Sequence, residues 1–426
     1  MLVDLRRSLA RDELMLAEML QFLRCPFCGT ALDLVENEAL ARTPQQVTSG
    51  VLGCQCCAFP IVAGIPVMLA DDRTREAMHA LEAGHREAAL LTLLGLDEEE
   101  KRRAFTALLG RAVPATYRDA QDVLSPDAEG TYFIYRFSDP TYVMSSAVLR
   151  ALAGACRPAR VIDVCGGSGH LTRDLVATLP GAVVALADVF FWKLWLAKTF
   201  TAPACQPVCC DGNSPLPFSR DTFEMVVLSD AFPYIWHKRL LAEELMRLAG
   251  PSGVVTMPHL HSSLGFNHSA GMTLTPAAYA ELFAPMQPRF FRDRDLVDDV
   301  LDRRSADLSR PLTPEEVGDD PSVTLVATGR EDVFRRHGLI ESDVVSGELI
   351  VNPLYRVERQ DGVSLLTLAF PTPEYEEEFG GCRRYLPDTV TVAADLTRPI
   401  DPASIGAHYL ELRRRRVLLD APLRFC

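Results

Sequence analysis

Five of the twelve cysteines fall within the first 57 residues, in two short groups. Cys25-Pro-Phe-Cys28 is followed by Gly29, and Cys54-Gln-Cys56-Cys57 begins 26 residues after Cys28. Two close cysteine pairs at such a separation suit one tetrahedral zinc ion, each tight turn wrapping two thiolates around the metal. The expected ligands are Cys25, Cys28, Cys54 and Cys57, because Cys54 and Cys57 repeat the spacing of the first pair. Cys56 competes with Cys57 for the fourth place. A site closed by four thiolates leaves no open coordination position, so this zinc is expected to be structural.

A second group lies in the middle of the chain. The apolar run Arg160–Val164 contains Asp163 and leads into Cys165-Gly166-Gly167-Ser168-Gly169. Glycines between a strand and a helix let the backbone approach a ligand and aim the helix N-terminus at it. Taken alone, that is weak evidence. A second apolar run ends in Asp188, 25 residues after Asp163, with Val189 next to it. An acid at that place can hold ribose hydroxyls. Asp211-Gly212 follows a third such run, and Asp230 ends a fourth.

The third group is histidine-rich. His259, His261 and His268 fall within ten residues, after a fifth strand-like run. They are candidates for a general base that takes a proton from an oxygen or nitrogen nucleophile. If the strand continues, alternation puts His259 and His261 on one face, which would also suit a metal. Before the first strand, Tyr132, Tyr135, Arg136 and Tyr142 form an aromatic and basic approach segment.

These residues need a scaffold. Strand-like apolar runs alternating with helical segments from about Arg160 to Leu260 predict a doubly wound, Rossmann-like α/β sheet. Four regions follow: a zinc ribbon over 1–72, a helical linker and cofactor-covering segment over 73–150, an α/β core over 151–260, and an α+β C-terminal region over 261–426. The last contains a Gln-Asp-Gly hairpin signal at Gln360 to Gly362. Near its end, Arg413 to Arg416 form a basic run. A solvated face is the commoner explanation of such a run than a phosphate site.

The order of the middle region resembles the class I S-adenosylmethionine (SAM)-dependent methyltransferase family over about Arg160 to Met257. The resemblance implies that Asp163, Gly167 and Gly169 line the methionine end of SAM, that Asp188 and Val189 border the ribose, and that Asp211 and Gly212 meet the adenine. It also implies that Asp230 borders the cofactor and that Tyr135 or Arg136 closes over it. Two departures are Cys165, where the usual loop has its first glycine, and Glu224, where the fourth strand usually has Asp. A nicotinamide-binding Rossmann domain is disfavoured, because G-x-G-x-x-G is absent. The first 70 residues resemble the small zinc-ribbon family that activates tRNA and translation-factor methyltransferases. The features that carry this are Leu23, both cysteine groups, Phe59-Pro60-Ile61 and Gly64-Ile65-Pro66. It implies a ribbon that packs on the methyltransferase core by strand pairing, here within one chain.

Composition bounds the rest. The chain has 426 residues, 48% hydrophobic and 23% charged, with a formal net charge of −14. That charge disfavours a polyanionic partner, since nucleic-acid binding rests on Lys and Arg. No apolar stretch reaches transmembrane length, and Met1 to Glu13 lacks a signal-peptide core, so a cytoplasmic protein is expected. The leading expectation is an enzyme that methylates an oxygen or nitrogen of a small molecule or peptide. The alternatives are an rRNA or tRNA methyltransferase and a non-catalytic SAM-binding scaffold.

Overall fold

The computed structural model describes residues 15–268, 271–339, 345–360, 362–396 and 400–426. The segment read for a signal peptide, and Asp361 of the hairpin signal, lie outside the described residues. None of the described helices is long and apolar enough to cross a membrane.

Six short strands build the N-terminal module: β1 (Met15–Leu16), β2 (Asp33–Leu34), β3 (Ala41–Arg42), β4 (Gln46–Gly53), β5 (Ala58–Val62) and β6 (Ile65–Pro66). The hairpin β4–β5 is its spine, and both cysteine groups sit at one end of it. The polypeptide after β6 pairs in parallel with the central sheet through Val67 and Cys209, and the Met68 N–H donates to the Cys209 carbonyl at 2.7 Å. A second bridge joins Leu23 to Phe218. The module thus covers what would be an open sheet edge. Leu23, Phe59 and Met68 share one apolar core with Leu216 and Phe218.

The central sheet has seven strands. Five are parallel: β7 (Arg160–Val164), β8 (Val183–Asp188), β9 (Gln206–Cys209), β10 (Met225–Val227) and β11 (Val254–His261). Their apolar residues are buried on both faces, as parallel strands between helices must be. Beyond β11 come β12 (Pro288–Arg292), the short β13 (Ser305–Asp307, outside this sheet) and β14 (Ser322–Ala327). The order across the sheet is β12-β14-β11-β10-β7-β8-β9, with β14 antiparallel to both neighbours. The order reverses between β7 and β10, the crevice where doubly wound sheets bind ligands.

Two expected boundaries shift. The helix Pro140–Cys156 runs through the one set at 150; Asp139 caps its start, and Arg157 in a left-handed conformation ends it just before Pro158. The boundary at 260 cuts the sheet, because β12 and β14 come from the region assigned to the C-terminal part. The next strand, β15 (Arg336–Gly338), still pairs with β13. A separate α+β module begins only near residue 345. It holds β16 (Glu348–Val351), β17 (Tyr355–Gln360), β18 (Val363–Leu368), β19 (Thr389–Val392) and β20 (Leu418–Ala421). The pairing of Gln360 with Val363 agrees with the expected tight hairpin.

Candidate active site

The carboxyl ends of β7, β8, β10 and β11 lie side by side in the parallel sheet, where a doubly wound fold has its ligand cleft. After β7, Gly167 and Gly169 take positive φ values of 57° and 79°. A Cβ at Gly169 would stand 2.9 Å from the Ala197 side chain, so the loop needs glycine there for space as well as conformation. Cys165 replaces the first glycine of the resembled loop yet keeps a positive φ of 57°. An L-residue in that conformation costs roughly 1–2 kcal/mol. Its sulfur lies 3.6 Å from where a Gly212 Cβ would be, so the ends of β7 and β9 meet at this thiol.

Asp188, at the end of β8, accepts the Gly167 N–H at 3.0 Å and the Phe190 N–H at 2.9 Å. It therefore fastens the glycine loop as well as facing the cleft. Lys193 lies beside it, paired with Glu129 at 2.5 Å, under the rings of Phe133, Phe190 and Trp192. Asp163 is buried behind the loop; its Oδ2 accepts from the Thr172 hydroxyl at 2.7 Å, and its Oδ1 has no partner among the described residues. Burial, reinforced by the Asp188 charge, pushes its pKa up to about 7. In the unfolded chain Asp titrates near ~3.9, so between the two values the native state holds the extra proton. Stability contributed by this group is therefore lost as pH rises from about 4 to 7. Asp163→Asn is expected to remove that slope: its melting temperature, measured from about pH 4 to 8, should fall less steeply than that of the wild type.

At the end of β10, Asp230 takes a positive φ of 60°, and on β11 His259 takes one of 57°. The β11–β14 pairing slips between Met257 and Leu260, so Pro258 and His259 of β11 oppose the single residue Thr324 of β14. This bulge re-aims His259 toward its neighbour. The His259 and His261 rings end 4.7 Å apart. Two His–Asp pairs result: His259 Nδ1 with Asp293 Oδ2 at 2.8 Å, and His261 Nε2 with Asp230 Oδ1 at 2.9 Å. Asp293 in turn accepts from the buried Thr324 hydroxyl at 2.9 Å. Burial alone would lower the His259 pKa, but the Asp293 hydrogen bond and the Asp230 and Asp293 charges outweigh it and raise it. Burial would raise the Asp230 pKa, but His261, His259 and Arg136 lower it and keep the carboxylate ionised.

The remaining expected residues divide. Arg136 is buried, with Nη1 between both Asp139 oxygens at 2.7 Å, and its charge reaches Asp163 and Asp230. Tyr135 faces away and packs on Tyr375; Tyr132, one helical turn earlier, comes within 3.5 Å of Asp230 Oδ2. Val189 is exposed beside the cleft, and Asp211 accepts from the Asn213 backbone and side chain. His268 is exposed against Phe266 and outside the histidine pair. It sits on a loop that the Met272 N–H ties to the Pro233 carbonyl, and this rim exposes Tyr234, Trp236, Phe266 and Met272. Tyr132 belongs to the approach segment that the sequence singles out, whereas Asp293 and Glu378 have no local signal that would find them as site residues, because only long-range folding brings them here. Glu378 lies near enough to feel the charges of Asp230, His259 and His261.

In the N-terminal module the sulfurs of Cys25, Cys28, Cys54 and Cys56 lie within 4.8 Å of one another. The separations Cys25–Cys56 (3.9 Å), Cys28–Cys54 (3.7 Å) and Cys54–Cys56 (3.5 Å) match the ~3.8 Å edge of a tetrahedron built on Zn–S bonds of about 2.3 Å. Cys57, the expected fourth ligand, is outside this group of four, which includes Cys56. The β4–β5 turn holds this group: the Cys54 N–H donates to the Cys57 carbonyl at 2.9 Å, and the Cys57 sulfur stays 3.4 Å from that of Cys56. Metal analysis is therefore expected to find one zinc per chain in Cys57→Ser and none in Cys56→Ser.

A cavity of about 1260 Å³ lies elsewhere. It lies by Ala159 and Ala182, just before β7 and β8 and thus at the amino ends of these strands. Arg150, Arg173 and Arg336 line it, together with Arg413, Arg414 and Arg416 of the C-terminal basic run. Arg416 also donates to the Phe137 carbonyl at 2.9 Å, and Arg415 pairs with Glu411 on the exposed helix face.

No family model and no curated protein matches the chain. Among solved structures, it is similar to the plantazolicin methyltransferase BamL (11% identity, 49% of this chain and 96% of that one, TM-score 0.35). It is also similar to human N-acetylserotonin methyltransferase in complex with SAM (13%, 66% and 79%, TM-score 0.33). A third is the Haloferax volcanii Trm112 methyltransferase activator complexed with a candidate methyltransferase (18%, 52% and 100%, TM-score 0.33). At such low scores these likenesses carry no argument about function.

Proposed function

We propose that the chain is a SAM-dependent methyltransferase acting on an oxygen or nitrogen of a small molecule or peptide, with its ribbon as a built-in structural zinc module. The observation that carries this reading is the pair Asp163 and Asp188 held at the glycine loop, with two His–Asp pairs at the ends of the neighbouring strands β10 and β11. The cleft suits a cationic cofactor. Asp163 Oδ1 is a buried acceptor without a partner among the described residues, and the loop beside it is built of glycines at which a Cβ would meet its neighbours.

Asp163 and the loop amides would hold the amino-acid end of SAM, Asp188 the ribose, and Asp211 with Gly212 the adenine. When bound, SAM supplies a sulfonium methyl whose bonding pair passes to sulfur as the acceptor's lone pair forms the new bond. His259 and His261 would draw the proton from the acceptor, supported by their partners Asp293 and Asp230. Holding the acceptor in line supplies much of the remaining rate. The exposed aromatic rim of Tyr234, Trp236 and Phe266 supports an acceptor with apolar parts.

The test is incubation with methyl-labelled SAM and a fractionated cell extract. Label is expected in a small-molecule or peptide fraction with wild-type protein and not with His259→Ala. SAM binding with no label transferred to any fraction would favour the scaffold alternative, and label in RNA would favour a nucleic-acid acceptor.

A further inference from the structure

The geometry points to a divalent transition-metal site formed by Asp230, His259 and His261, separate from the cysteine cluster. Their ligand atoms lie within 4.8 Å of one another. Two imidazoles and one carboxylate on one side of an ion leave its remaining positions open, the arrangement used by many N/O metal sites. The 2.9 Å between His261 Nε2 and Asp230 Oδ1 equals the separation of two adjacent ligands about 2.1 Å from a metal at a right angle.

Three further features fit a metal better than two isolated hydrogen bonds. The first is the outer support: Thr324 donates to Asp293, which holds His259 Nδ1, so that Nε2 is the nitrogen left for the ion. Such carboxylate–histidine support is the usual second layer of a metal centre. The second is charge. Asp230, Asp293 and Glu378 surround the cluster, while the nearest cation, Arg136, is already neutralised by Asp139 at 2.7 Å. The third is backbone strain, with Asp230 and His259 both at positive φ. Strain of this kind costs about 1–3 kcal/mol per residue and persists where a site is over-determined.

The role rests on the methyltransferase reading, although the binding does not. An acceptor hydroxyl placed on the ion would lose its proton to water more readily, because a bound cation stabilises the resulting oxyanion.

The probes are Mn2+, followed by electron paramagnetic resonance, and Ni2+, followed by calorimetry, on the full chain with its ribbon zinc in place. Mn2+ prefers oxygen and nitrogen donors and leaves thiolates alone. One site per chain is expected, lost in Asp230→Asn and His261→Gln, unchanged in His268→Ala, and weakened about 10–100-fold in Asp293→Asn. Thermal unfolding, measured on each variant, reports whether the fold around the cleft is intact. Failure to bind both ions, or equal binding in Asp230→Asn with the cleft intact, overturns the site. SAM binding by protein that takes neither ion leaves the methyltransferase reading standing, whereas loss of SAM binding in the wild type would remove that reading and not the metal site.

Discussion

Asp188→Ala is expected to weaken SAM binding at least about 100-fold, roughly 2.7 kcal/mol. Two losses combine in that figure. The carboxylate would no longer meet the ribose, and the Gly167 and Phe190 amides it now accepts would be left without their partner. A buried donor left unpaired costs about 1–3 kcal/mol, so the glycine loop would also lose its shape. Asp188→Asn separates the two. Asparagine keeps one acceptor oxygen and can still fasten one amide, so it should hold the loop better yet bind SAM poorly. Calorimetric titration of both variants checks this, and wild-type affinity in Asp188→Ala would remove Asp188 from the cofactor site.

The second large effect belongs to His259. His259→Ala is expected to reduce kcat about 10²–10⁴-fold while leaving SAM affinity within about threefold of the wild type. The reasoning holds whether His259 takes the proton itself or holds a cation that lowers the acceptor's pKa. In both cases its Nε2 is needed after the cofactor has bound. Asp293 acts through His259 as a positioning residue, so Asp293→Asn should lower kcat by a smaller factor with SAM affinity again unchanged. Single-turnover rates with the acceptor found by methyl labelling, set beside SAM titrations, provide the check. Loss of kcat and SAM affinity together in His259→Ala would mean that the residue merely supports the fold.

Much of the scaffold is legible in the sequence because parallel strands buried on both faces read as continuous apolar runs. Val161–Val164 and Val183–Ala187 are such runs, and their ends bring Asp163 and Asp188 to one place. The glycine loop is legible for the same reason, since it must turn between a strand and a helix. What depends on distant folding is not. Asp293 comes from a helix 34 residues beyond His259, and Tyr132 from one 98 residues before Asp230. Asp293 has no local signature, while Tyr132 is legible only as part of an aromatic approach segment and not as a neighbour of Asp230. β12 and β14 stand on either side of a polar, irregular stretch, away from the regular strand–helix alternation, and the boundary expected at 260 leaves them out although β14 is itself an apolar run. The grouping of Cys56 rather than Cys57 with the other three cysteines falls in a hairpin turn, where a repeated spacing is a poor guide. The bulge at His259 matters similarly: without it, simple alternation explains why two histidines share a face, but not why His259 has a left-handed backbone.

The central claim is that the crevice between β7 and β10 is a SAM site. Its most direct measurement is calorimetric titration of the full chain with SAM and with S-adenosylhomocysteine, alongside NADH as a competing dinucleotide. One site per chain for both SAM and its product, abolished in Asp188→Ala, and no heat from NADH is the expected result. No binding of either sulfur compound to folded, zinc-loaded protein, or preferential binding of NADH, would contradict it.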